Sequence, residues 1–113
     1  MKKSLVNVLG EEYTCKLGER CEVGLSPDFE GECRPYLKEL RVLHSLEGVD
    51  SVEEKDSRTE GIVAHEIFHA FVSESGLDIP EDVEETLACW YMKMWRKMNN
   101  SILQVLDENG LLD

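Results

Sequence analysis

His65-Glu66-Ile67-Phe68-His69 sits inside a run, residues 57–75, whose apolar positions recur at helical spacing. On a helix, two histidines four residues apart project from the same face, one turn apart. Imidazoles so placed can grip one metal ion between them. Glu66, beside the first histidine, points aside, toward where a water on such an ion would sit. Zinc hydrolases need two neutral nitrogen ligands, an open coordination position and a nearby base. H-E-x-x-H fixes only three positions, and a surface helix could carry both histidines as solvated polar residues. The neighbours argue against that. Ile62, Phe68 and Val72 lie within about one turn of the histidines on the same side, and Ala64, Ile67 and Phe71 are apolar too. Histidines on a buried stripe need partners, because an unpaired buried polar group is costly. One Zn2+ per chain would partner both, with His65 and His69 as ligands and Glu66 as general base.

The ends of the run are marked. Ser57-Arg58-Thr59-Glu60 matches a capping box, which predicts a helix from residue 57 to about Ser75, stopped by Gly76. Pro80 suits the first turn of a second helix, and Glu81, Asp82, Glu84 and Glu85 complement its dipole. That helix should run through Trp90, Met94 and Met98 to about Asn99. Its Met and aromatic stripe reads as core. Ser101 is a candidate cap for a short last helix, residues 102–109, ended by Gly110.

Upstream, residues 1–50 are strand-like and rich in turns. Residues 5–9 are a first strand candidate. Residues 12–17 and 20–24 could form a hairpin with Gly18 in its turn. Ser26-Pro27-Asp28 and Glu30-Gly31-Glu32 are loop signals. Residues 36–44 are the best strand, with Leu40 and Val42 alternating against Glu39 and Arg41. Residues 48–55 are polar and read as an exposed loop. The expected fold is α+β, one domain over residues 1–113. It should hold a mostly antiparallel sheet of three to four strands, packed on two main antiparallel helices, plus a short C-terminal helix.

Composition narrows the partners. There are 24 acidic and 12 basic residues, a net charge of −12, which disfavours nucleic-acid and anionic-membrane surfaces. No apolar run approaches a membrane span. The apolar stretch after Met1-Lys2-Lys3 is too short for a secretion signal, so a cytoplasmic protein is expected. Cys15, Cys21, Cys33 and Cys89 form no C-x-x-C pair, so a structural zinc knuckle is not expected. In a reducing compartment they should be free thiols, each a small buried hydrophobe.

A catalytic zinc usually has three protein ligands and a water. The third should come from an element packed on the first helix, and the second helix is the natural neighbour. Glu81, Glu84 and Glu85 are all within reach. Periodicity leans to Glu84, because Leu87, Ala88, Tyr91, Trp95 and Met98 centre on its side. Glu85 is further round but has the small Ala88 close by, which would let two helices approach.

Over residues 59–92 the chain resembles gluzincin-type zinc metallopeptidases, close to the small ImmA/IrrE-like proteins common in phages and mobile elements. The resemblance rests on His65-Glu66-Ile67-Phe68-His69-Ala70-Phe71, Glu74-Ser75-Gly76-Leu77 and Glu85-Thr86-Leu87-Ala88-Cys89-Trp90-Tyr91. In that family a glutamate followed by alanine three residues on, and by an aromatic six on, supplies the third ligand. Glu85, Ala88 and Tyr91 match, so the resemblance implies Glu85, with Glu84 the alternative. Cys89 departs from the family's usual asparagine.

The implied chemistry is peptide-bond hydrolysis by zinc-activated water, in a zincin-like fold in the cytoplasm of a bacterial host. In zincins the strand before the motif helix is commonly an open edge that pairs with an extended polypeptide substrate. Residues 36–44 would be that edge here. Tyr36, His44 and Tyr91 are oxyanion-donor candidates by residue type. Two rivals stand beside this reading. One is a deformylase-like hydrolase with Cys33 as third ligand, although the motifs typical of those enzymes are absent. The other is a binding or regulatory module that keeps the fold with little or no activity, since nothing in the sequence marks a substrate pocket.

Overall fold

The computed structural model describes residues 1–112. β1 (Lys2–Val8) and β2 (Glu11–Gly18) pair as an antiparallel hairpin across Leu9-Gly10. Both turn residues have positive φ, 52° and 91°, as a two-residue hairpin turn requires. The Asn7 side chain accepts the Gly10 N–H at 2.9 Å.

Residues 20–24 are not a strand. They wind into a single helical turn, α1 (Arg20–Val23). Glu22 accepts the backbone N–H of Glu19 at 2.9 Å while Glu19 returns the favour, and Gly24 closes the turn in the left-handed conformation. Reciprocal capping at one end and glycine at the other outweigh a weak β preference. The loop signal at Glu30-Gly31-Glu32 also gives way, to β3 (Gly31–Arg34). A 3-10 turn (Pro35–Leu37) leads to β4 (Glu39–Leu43).

The sheet runs β1-β2-β4-β3. Its centre is the parallel pair β2–β4, with Cys15 opposite Leu40, and both outer pairs are antiparallel. The sheet is therefore mixed. β4 is the core of the expected strand at 36–44, but it is not an edge, because β2 and β3 cover it on both sides. The free edges are β1 and β3.

α2 (Val52–Ser75) carries the motif. It starts earlier than the Ser57 box suggests. Ser51-Val52-Glu53-Glu54 has the same pattern, and the Ser51 hydroxyl accepts the Glu54 N–H at 3.1 Å. Once that turn is nucleated, each further residue adds a hydrogen bond, so Ser57 and Thr59 are absorbed into the helix. Much of the loop expected at 48–55 is thus helical. Thr59 Oγ1 bonds the Lys55 carbonyl at 2.9 Å and reaches the Leu43 carbonyl at 3.3 Å, fixing α2 to the end of β4.

α3 (Glu81–Glu108) is continuous. The separate C-terminal helix expected at 102–109 is its last part. Asn99, Asn100 and Ser101 are poor helix formers, but none is a glycine or proline, and continuing costs less than stopping and nucleating again. Contacts between residues 61 and 92, and between 60 and 96, show that α3 runs antiparallel to α2.

One face of the sheet packs on α2. Val8, Tyr13, Leu40 and Val42 are essentially sealed there, with Cys15, Ile62 and Ala70 in the same cluster, and Leu43 is sealed at the end of β4. Each fully buried large side chain contributes about 1.5–3 kcal/mol relative to exposure. The Tyr13 hydroxyl donates to Glu74 Oε1 at 2.6 Å, and Lys38 pairs with the same carboxylate, so the end of α2 is tied to the sheet. All four cysteines are free thiols, but only Cys15 is fully buried and Cys21 is exposed. Among the described residues no helix is long and apolar enough to cross a membrane.

Candidate functional site

The α2 backbone sets His65 and His69 one turn apart, with ring centroids 4.9 Å apart. Their Nε2 atoms approach to 3.2 Å. Two nitrogens on one tetrahedral zinc, each about 2.05 Å from it, would stand about 3.3 Å apart. The pair is therefore already spaced for a shared ion.

α3 supplies the facing carboxylates. Ala88 is fully buried and lets the helices close on each other. Glu85 spans both rings, with Oε1 at 3.0 Å from His65 Nε2 and Oε2 at 3.0 Å from His69 Nε2. Glu84 meets the other side of His69, pairing with Nδ1. The two glutamates between which the sequence could not choose thus occupy different positions. Glu85 faces the point where the Nε2 atoms converge. Glu84 holds the far nitrogen of one ring, a contact that presents Nε2 as the free lone pair. Glu81 lies at the rim of the same groove.

Glu66 turns toward the sheet. It is 6% exposed and forms no hydrogen bond among the described residues, with Oε2 4.0 Å from His65 Nε2. Burial pushes its carboxyl up to about 7. Burial likewise lowers the His65 pKa, against the opposing pull of Glu85. At His69 burial also pulls downward, but the hydrogen bond to Glu84 and the charges of Glu66, Glu84 and Glu85 prevail, so its pKa rises.

The three side chains stand on the floor of an open groove of about 1210 Å3. The sequence held no sign of it. β3 forms one wall through Gly31, Glu32 and Cys33, and the first turn of α3 with Leu77 and Asp78 forms the other. Gly31 is a requirement of the site that sequence reading took for a loop residue. A Cβ there would stand 2.4 Å from Ile62 Cγ2 and 2.8 Å from Glu66 Oε2, so only glycine lets β3 approach α2 at this point.

Cys89 is a second residue missed. It lies one turn beyond Glu85 on α3, and its thiol donates to Glu85 Oε1 at 3.6 Å. Ligand atoms of His65, Glu85 and Cys89 all fall within 4.8 Å of one another. Its four-residue spacing from Glu85 was the available signal. Cys33 lines the groove from β3 but is not part of that set. The three oxyanion candidates are not brought to the groove. His44 Nδ1 bonds Thr59 at 2.9 Å, Tyr91 packs on Phe68 with centroids 5.5 Å apart, and Tyr36 is 79% exposed on the 3-10 turn.

Compared with known proteins, the chain matches no family model, no curated protein and no solved structure.

Proposed function

We propose that this chain is a zinc-dependent peptidase in a zincin-like fold, in which His65, His69 and Glu85 hold the ion and Glu66 is the general base. The observation that carries the reading is the convergence of two Nε2 atoms and one carboxylate beside a buried, unbonded acid on the floor of a groove. The donor set fits zinc, being two imidazoles and a carboxylate that approach one point and leave a side open to the groove. When bound, zinc supplies a Lewis acid that acidifies water and polarises a carbonyl.

The chain's own residues supply the rest. Glu84 fixes the His69 tautomer. Glu66, with a pKa near neutrality, is poised to take a proton from the attacking water and pass it to the leaving amine. β3 is the free edge on the groove wall, so an extended polypeptide would add to it rather than to β4. In the second reading the same site serves a binding or regulatory module with little activity. The absence of tyrosine, lysine and arginine from the described groove lining favours it, because no such side chain is placed to hold an oxyanion.

The test is the metal content of protein purified without added metal or a histidine tag, followed by cleavage assays on unstructured polypeptides. One zinc per chain, lost in His65→Ala and His69→Ala, supports the site. Glu66→Gln should retain zinc and lose about 10²–10⁴-fold in cleavage rate. No bound zinc would sink the reading, as would undiminished cleavage by Glu66→Gln. Zinc without any cleavage would leave the binding module.

A further inference from the structure

α3 is about 42 Å long, yet Ala88 is its one buried residue. Val83, Leu87, Trp90, Met94 and Met98 follow one another at spacings of four, three, four and four, which makes a continuous apolar stripe. Val83, Leu87, Trp90 and Met98 are 40–49% exposed. The stripe stands about a third of a turn away from Ala88, which is on the side that meets α2. Among the described residues nothing else covers it.

Charge on the same helix comes in blocks: Glu81, Asp82, Glu84 and Glu85 at its start, Lys93, Arg96 and Lys97 in its middle, and Asp107 and Glu108 at its end. Arg96 pairs with Glu60 of α2. Asp82, Lys93 and Lys97 are exposed and make no ion pair among the described residues.

We propose that the α3 stripe is the interface of a homodimer in which two copies of α3 pack antiparallel about a two-fold axis near Trp90. In that register Leu87 lies against Met94 of the second copy, and Val83 against its Met98, to within a residue. Asp82 of each copy then comes level with Lys97 of the other. Parallel pairing would set acid on acid and base on base. An unrelated partner has no reason to match this spacing of opposite charges along one helix. The net charge of −12 per chain opposes association in general, so the attraction must be local and specific to this register. Trp90 at the centre is the residue type that most often dominates an interface. The proposal requires neither metal nor catalysis.

Sedimentation velocity on the full chain across a concentration series tests it. A reversible dimer is expected. Trp90→Glu, at an exposed position, should weaken it about 30-fold or more with the circular dichroism spectrum unchanged. Asp82→Lys and Lys97→Glu should each weaken the dimer, and the two together in one chain should restore it. A monomer at every concentration overturns the proposal and leaves the stripe to a different protein. A dimer indifferent to Trp90→Glu, or a double exchange that fails to restore pairing, overturns it equally.

Discussion

At the scale of single residues, the two adjacent glutamates of α3 show what periodicity can and cannot decide. A helix advances about 100° per residue, so Glu84 and Glu85 both reach toward α2 but at different angles. Which nitrogen each one meets depends on the separation of the helices, and that depends on Ala88. The consequence is measurable by competition against a zinc chelator. Glu84→Gln should weaken zinc binding by about 10–100-fold, as loss of an orienting partner does. Glu85→Ala removes a carboxylate that faces both Nε2 atoms and should cost more than that. The reverse order would exchange the roles of the two residues. His65, Glu66 and His69 were legible because their arrangement is local, set by one turn of one helix. Gly31 was not, because its role is a distance between two elements far apart in the chain.

At the scale of elements, local chemistry was misread wherever two plausible signals competed. Two S-x-x-E capping patterns precede the motif, and the serine of the earlier one starts the helix. A short strand-like segment after β2 carried its own caps and became α1. The strand at 36–44 was legible from its alternation, but its position in the sheet was not, since strand order depends on pairing partners that no single segment encodes. β3 is where these effects matter most, because its close approach forms the groove wall. Gly31→Ala would press a methyl group into Ile62 and Glu66. It should destabilise the chain by about 1–3 kcal/mol in urea unfolding. It should also impair any cleavage more than zinc binding, because the clash falls on the proposed base, Glu66, rather than on the proposed ligands. A variant as stable and active as the parent would mean that β3 shifts freely.

For the molecule as a whole, the buried acid gives the fold a pH dependence. In the metal-free chain Glu66 ionises near 7 when folded, against about 4.5 when unfolded. Below that interval it is protonated in both states and contributes nothing. As pH rises from about 4.5 to about 7, the unfolded chain releases the proton while the folded chain keeps it. Folding therefore loses up to about 3 kcal/mol across that interval. Glu66→Gln removes the dependence. In chelator it should be more stable than the parent at pH 8 by about 1–3 kcal/mol, with the gap shrinking toward pH 5. Denaturant titrations at the two pH values check it. A gap independent of pH would mean that water reaches the carboxylate in the folded state.

α3 packs almost entirely on α2 and has little hold on the sheet. Of all the long elements it is the one that can detach while the rest of the core stays closed, so it belongs to the low end of the opening-energy scale. Glu84 and Glu85 travel with it, whereas both histidines remain behind on α2. Opening this helix dismantles the donor set without unfolding the protein. Any ion held there would then be released at the rate of helix undocking, and capture of the ion would close the helix again. A metal bound there would govern local opening, and local opening would govern its lifetime.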